Sequence, residues 1–242
     1  MTEDARDPAA DPASRAHDAA PHAVVTGCSS GIGRAVTEHL LADGWRVTGL
    51  SRREVEPGPG FTWLGCDLSR PADVAAAVAP LGPVDAVVHA AGHQVAAPLG
   101  RLDPAALDGM FALHVGAAAA LVDALVDRLA DGGRIVLIGS RTAVGVAGKS
   151  QYAATKAAQV ALARSWAAEL APRRITANVV APGPTDTPML SDPARASSAP
   201  VLPPLGALVD PADVAALVGF VLGPHGRSIT GQALVVCGGA SL

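Results

Sequence analysis

Tyr152 and Lys156 stand four residues apart in the Ala-rich stretch Tyr152–Ala171. On a helix that spacing puts both side chains on one face, one turn apart. An ordinary phenol, with a pKa of about 10, is a poor proton donor or acceptor near neutral pH. A cation beside it favours the phenolate and lowers that value. Lys156 can supply the charge and keep further N–H donors for hydroxyl groups. The pair is therefore suited to giving a proton to a carbonyl oxygen or taking one from an alcohol. A Tyr and a Lys at this spacing also arise by chance, so the pair has meaning only if its surroundings bring a substrate to it.

A second chemistry lies in Gly27-Cys28-Ser29-Ser30-Gly31-Ile32-Gly33, between the strand candidate Ala23–Thr26 and the helix candidate Arg34–Asp43. Gly27 permits a sharp turn. Gly31 and Gly33 let the backbone approach a pyrophosphate and the helix approach a sheet. The helix N-terminus would aim free N–H groups and the positive dipole end at the anion, and Ser29 and Ser30 add hydroxyls. After the second strand candidate, Arg46–Leu50, come Ser51, Arg52 and Arg53. An acid at that place accepts from the ribose 2′-hydroxyl of NAD and would repel a 2′-phosphate. A small hydroxyl residue followed by two guanidinium groups suits a phosphate, through forked, charge-assisted bonds. The expected cofactor is NADP(H). The alternative, two solvated loop charges, is weakened by their place after the second strand.

The elements that must carry these groups are short and regular. Further strand candidates are Thr62–Cys66, Ala86–His89, Arg134–Ile138, Thr176–Val180 and Ala233–Val236, each apolar on both faces as buried parallel strands are. Helix candidates are Asp73–Ala79, Pro104–Ala130, Tyr152–Ala171 and Pro211–Leu222. Seven strands with intervening helices predict one α/β domain, a doubly wound three-layer sandwich over residues 22–242. Residues 1–21, rich in Asp, Ala and Pro, are expected to be a flexible tail. Residues 187–209, rich in Pro, Ser and Ala, are an expected substrate lid.

Composition excludes other classes. The 242 residues are 50% hydrophobic and 17% charged, which rules out global disorder. With 18 basic against 22 acidic residues the net charge is -4, so no basic field exists for nucleic acid. Uncharged stretches are short and broken by Gly, Pro or His, and no membrane span is expected. Cys28, Cys66 and Cys237 are odd in number and far apart, which fits reduced thiols and a cytoplasmic location. No histidine spacing suggests a metal site.

The Gly-x-x-x-Gly-x-Gly spacing resembles the cofactor fingerprint of the short-chain dehydrogenase/reductase family, and the likeness runs from about His22 to Leu242. It implies a Rossmann-like fold with a seven-stranded parallel sheet. It also implies hydride transfer between a nicotinamide and a ketone or secondary alcohol. By that resemblance Ser140, closing Ile138-Gly139-Ser140, orients the substrate oxygen, Tyr152 is the general acid or base, and Lys156 tunes it. Asp67 and Leu68 would meet the adenine; the alternative for Asp67 is a turn or N-cap acid. His89-Ala90-Ala91-Gly92 resembles the family's Asn-Asn-Ala-Gly and would pass the cofactor ribose, with His89 and Ala90 replacing both Asn. Pro182, Gly183, Thr185 and Thr187 would face the nicotinamide and a phosphate. His114 stands where the family commonly has an Asn that kinks a helix and holds a water linking Lys to solvent. It is either a proton relay or an inert, satisfied side chain. The family also implies a homo-oligomer, tetramer or dimer. Redox-neutral or imine-directed enzymes on the same fold (epimerases, dehydratases, imine reductases) and a non-catalytic NADP(H) sensor are the competing readings.

Overall fold

A computed structural model describes residues 20–193 and 201–242. The expected tail lies outside the described residues except for Ala20 and Pro21, as does the middle of the expected lid, residues 194–200.

Seven parallel strands form one sheet: β1 (His22–Thr26), β2 (Arg46–Ser51), β3 (Phe61–Gly65), β4 (Val84–His89), β5 (Leu129–Ile138), β6 (Thr176–Pro182) and β7 (Ala233–Val236). Their spatial order is β3-β2-β1-β4-β5-β6-β7. Strand order reverses between β1 and β4, whose register aligns Thr26 with His89. In open α/β sheets the crevice at that reversal, outside the strand carboxyl ends, is where ligands bind. Alternation along the strands divides the core. Val24 and Val87 face α2 (Pro71–Val78), α4 (Ala117–Leu125) and α5 (Ser150–Leu170). Ala23, Val25, Ala86 and Val88 face α1 (Gly31–Ala42) and α6 (Pro211–Leu222). Proline at the first helical position starts α2, α6 and α3 (Pro104–Phe111), where its missing N–H costs nothing. Asp103 and Asp210 cap α3 and α6 by accepting from Ala105 N and Ala212 N.

The expected single helix Pro104–Ala130 is instead four pieces. After α3 comes a π-turn, Ala112–Gly116, then α4 and a 3-10 turn, Val126–Arg128. Leu129 and Ala130 already belong to β5. The π-turn widens the ladder, with Ala117 N–H bonding Ala112 O five residues back. By length and apolarity the 25-residue stretch Pro104–Arg128 would cross a bilayer. Here Ala117, Ala118, Leu121, Val122 and Leu125 pack on the sheet, as in a core helix.

Candidate active site

The turn after β1 is held tight by missing side chains. Gly27 has φ 71°, and a Cβ there would meet Ala91 N at 2.9 Å; a Cβ on Gly33 would meet Gly27 O at 2.3 Å. The chain after β4 crosses directly above. Thr26, fully buried, accepts at Oγ1 from Ala90 N (3.1 Å) and Ala91 N (3.2 Å). His89 Nε2–H donates to Leu113 O (3.1 Å), so Nδ1 accepts the Thr26 hydroxyl proton at 3.0 Å. Thr26 and one imidazole thus tie the end of β1 to the chain after β4. At the start of α1, Ser30 makes no side-chain capping bond. The first-turn N–H groups and the Ser29–Ser30 corner form a cradle that fits a pyrophosphate.

Around the second strand the outcome is mixed. Arg53 Nη2 donates to Ser29 O at 2.9 Å, which brings this guanidinium to the phosphate turn. Arg52 lines a cavity of about 590 Å³ with Gly65, Cys66, Asp67 and Asp73, beside the end of β3. Ser51 is engaged elsewhere: its hydroxyl donates to Arg53 O (2.7 Å) and accepts from Trp63 Nε1 (3.0 Å). It shapes the arginine turn from beneath. Asp67 Oδ1 accepts from Ser69 Oγ (2.8 Å) and Ser69 N (3.1 Å), and these bonds hold the carboxyl below its usual range. These are the bonds of a turn acid, and the residue also lines the cavity. Leu68 is buried in the core.

The proton-transfer groups come from β5 and α5. Ser140 caps the 3-10 turn Arg141–Val144, accepting from Thr142 Oγ1 (2.9 Å) and Thr142 N (3.2 Å). Its own proton stays available for a substrate oxygen. Tyr152 sits in the first turn of α5, 7% exposed. The Lys156 Nζ lies 5.7 Å from the centroid of its ring. Nζ donates to Ile138 O (2.8 Å) and Gln159 Oε1 (3.0 Å). Burial alone pushes this ammonium from 10.5 down to about 7. Gly92 passes over it: a Cβ there would meet His114 Nε2 at 3.0 Å and Lys156 Nζ at 3.7 Å.

His114, fully buried in the π-turn, has both nitrogens bonded to protein. Thr155 gives its hydroxyl proton to Tyr152 O (2.8 Å), so His114 Nδ1–H donates to Thr155 Oγ1 (2.8 Å). Nε2 accepts from His93 N (3.2 Å). Burial, then the Lys156 charge, hold the ring well below its ordinary pKa. Neither nitrogen is left for a relay water, and the geometry favours the satisfied alternative. Beyond β6, Gly183 packs on Cys237 Cα, and Thr185 Oγ1 donates to Gly183 O (3.0 Å). Thr187 lies against Gly31, where an added Cβ would meet its Cγ2 at 3.2 Å. The phosphate turn and the segment expected to face the nicotinamide therefore lie against each other. Cys237 is buried and within 3.2 Å of Ser241 Oγ. The described residues contain no cluster of metal-ligating side chains.

One fold, one crevice and one Tyr–Lys pair converge here, and comparison with known proteins agrees. The profile of the enoyl-(acyl carrier protein) reductase family matches residues 27–241. The chain is 37% identical over 236 residues to carbonyl reductase family member 4 of Danio rerio, covering 91% of this chain and 98% of that protein. The chain belongs to the short-chain dehydrogenase/reductase family. It is 34% identical to the 3-oxoacyl-[acyl-carrier-protein] reductase FabG of Salmonella typhimurium, with 90% and 96% covered. A Burkholderia cenocepacia short-chain dehydrogenase solved in complex with NADP superimposes with a TM-score of 0.81 at 34% identity, over 93% of this chain and 99% of that one.

Two site residues escape a reading of the sequence. Thr26 reads as an ordinary strand residue. Gln159, three residues after Lys156 on the same helix face, carried a signal in its polarity among Ala and Val.

The buried histidines set an acid limit on this reductase. His89 is held at about 3 by burial, then by the Lys156 charge. Between that value and the ordinary 6.5 the unfolded chain binds the extra proton, so the His89 contribution to stability is complete above about 6.5 and is lost as pH drops through the window. The slope reaches about 1.4 kcal/mol per pH unit for one such group. We expect the urea midpoint of His89→Asn, which keeps an amide donor and acceptor, to fall less steeply from pH 6.5 to 4 than that of the wild type. Parallel curves would remove His89 as a cause.

Proposed function

We propose that this protein is an NADP(H)-dependent oxidoreductase that interconverts a ketone and a secondary alcohol. The observation that carries the reading is a buried Lys156 ammonium beside Tyr152 at the mouth of the crevice, with the Ser140 hydroxyl on the neighbouring strand end. NADP(H), when bound, supplies or accepts the hydride at the nicotinamide. Its pyrophosphate would fit the Gly27–Gly33 turn, where a Cβ added at Gly27 or Gly33 strikes backbone. Arg53 and Arg52 would hold the 2′-phosphate, and Gly92, Pro182, Gly183, Thr185 and Thr187 would border the ribose and ring. In reduction Ser140 donates to the carbonyl oxygen and fixes it, Tyr152 passes its proton to that oxygen, and Lys156 stabilises the phenolate left behind. In oxidation each proton runs the other way. The names of both relatives denote carbonyl reduction, which supports the same direction for this chain.

The test is oxidation of NADPH against NADH over a panel of ketones. We expect turnover with NADPH, and a substrate consumed without net NADPH loss would favour a redox-neutral reaction instead. In Arg53→Ala we expect KM for NADPH to rise about 10- to 100-fold, the worth of one charge-assisted bond. KM for NADH should move little. An equal rise for both would sink the 2′-phosphate assignment. We also propose, from the resemblance, a homo-oligomer in the cytoplasm. Phe111, half exposed on α3, and three unbridged buried thiols support this reading. Sedimentation of the full chain tests the first.

A further inference from the structure

Gln159 lies one turn beyond Lys156 on α5 and is fully buried. Its Oε1 accepts from Lys156 Nζ at 3.0 Å and its Nε2 donates to His114 O at 2.9 Å. The amide can sit only this way round, because an ammonium only donates and a carbonyl only accepts. It bridges the proton-transfer lysine to the π-turn. With Ile138 O as the second acceptor, two of the three Nζ donors are fixed on the inner side. One is left for Tyr152 and the ligand groove.

We propose that Gln159 is a positioning residue of the proton-transfer machinery: its neutral amide holds the buried Lys156 ammonium in place and sustains its charge without cancelling it. A buried ammonium lacking polar acceptors gives up its proton. A carboxylate at position 159 would keep the proton on Lys156 but form an ion pair, and Tyr152 would then feel little net positive charge. An amide meets both requirements. It also occupies the link between Lys156 and the carbonyl of residue 114, so Lys156 exchanges its proton on the side facing the groove. The titratable groups facing Lys156 are Tyr152 on α5, His114 in the π-turn, His89 at the end of β4 and His93 in the loop after it. All three histidines are held below their ordinary pKa by burial. The inference deepens the function proposed above and rests on it for the readings that need turnover.

The experiment compares Gln159→Met and Gln159→Glu, both close to Gln in volume. In Met the acceptor is gone. We expect reductive kcat to fall about tenfold and the basic limb of its pH profile to move about one unit down, as the ammonium loses its proton earlier. In Glu we expect that limb to move about one unit up, with a lower plateau. A residue that only fills space would lower the melting temperature in both and leave both limbs in place. A second readout needs no turnover. Tyr152 is the chain's one tyrosine, so tyrosinate absorbance reports it alone. That titration is expected to move upward in Gln159→Met. A folded Met variant with unmoved absorbance and unmoved limb overturns the proposal. If Met fails to fold, the Glu variant decides it, and an unmoved limb there overturns it. If the wild type turns over no carbonyl at all, the proposed function fails while the absorbance titration still tests Gln159.

Discussion

Tyr152→Phe is expected to lose reductive kcat by about 10²- to 10⁴-fold, the range a positioned proton donor contributes. KM for NADPH should stay within a few fold. The substitution removes one oxygen and keeps the ring. That ring packs edge-on against His114 at 5.7 Å between centroids, a contact Phe preserves. Tyr152 O, the acceptor of the Thr155 hydroxyl, is backbone and is untouched. The fold and the cofactor cradle therefore have no reason to change, and the loss should fall on the chemical step. Steady-state kinetics with NADPH, together with circular dichroism, check it. Activity equal to the wild type would remove Tyr152 as the proton donor. Because the variant has no tyrosine left, it is also the blank for the absorbance titration of Gln159→Met.

The frame of this enzyme is local in origin and was legible for that reason. Short runs such as Ala23–Thr26 and Thr176–Val180 are apolar on both faces because both faces of the sheet are covered. Proline and an acid announce the starts of α2 and α6. The Gly27–Gly33 turn is visible because its glycines answer a steric demand: a Cβ on Gly33 would sit 2.3 Å from a carbonyl oxygen.

The illegible parts depend on contacts between residues distant in the chain. Within Pro104–Ala130 no residue type dictates a π-turn, and only the resemblance points to a kink at His114, the middle of Ala112–Gly116. Two of its carbonyls, Leu113 O and His114 O, are taken by His89 and Gln159, residues of β4 and α5. The break in the helix is thus fixed by side chains the local sequence does not contain. Ser51, the last residue of β2, is a phosphate candidate by sequence, and its hydroxyl is bonded within the protein. Trp63, across the β2–β3 pair, engages its hydroxyl and turns it toward Arg53 O. His114 differs again. Its two alternatives were equal from sequence, and what separates them is the Thr155 hydroxyl, whose single proton goes to Tyr152 O and so fixes the imidazole tautomer.

Lys156 joins function to stability, and Lys156→Met should separate them. Met fills most of the same volume without the charge. We expect kcat to fall at least about 10²-fold, since Tyr152 loses the cation that makes its phenolate accessible. Stability should respond differently. The folded-state value of Lys156 is about 7 against 10.5 unfolded. Between those values the unfolded chain holds the extra proton, so wild-type stability rises with pH across that window, by up to about 1.4 kcal/mol per unit. Below about pH 7 both states carry the charge and the slope vanishes. In Lys156→Met the rise between pH 7 and 10.5 should be absent, as read from urea midpoints of both proteins over that range. The level of the variant's curve depends on two opposed effects. Removing a buried charge stabilises it, while Ile138 O and Gln159 Oε1 lose their donor. The slope does not depend on that balance, which makes it the cleaner measure. An unchanged slope in the variant would mean that Lys156 keeps its ordinary pKa in the folded protein, and the same result would remove the physical basis for a tuned Tyr152.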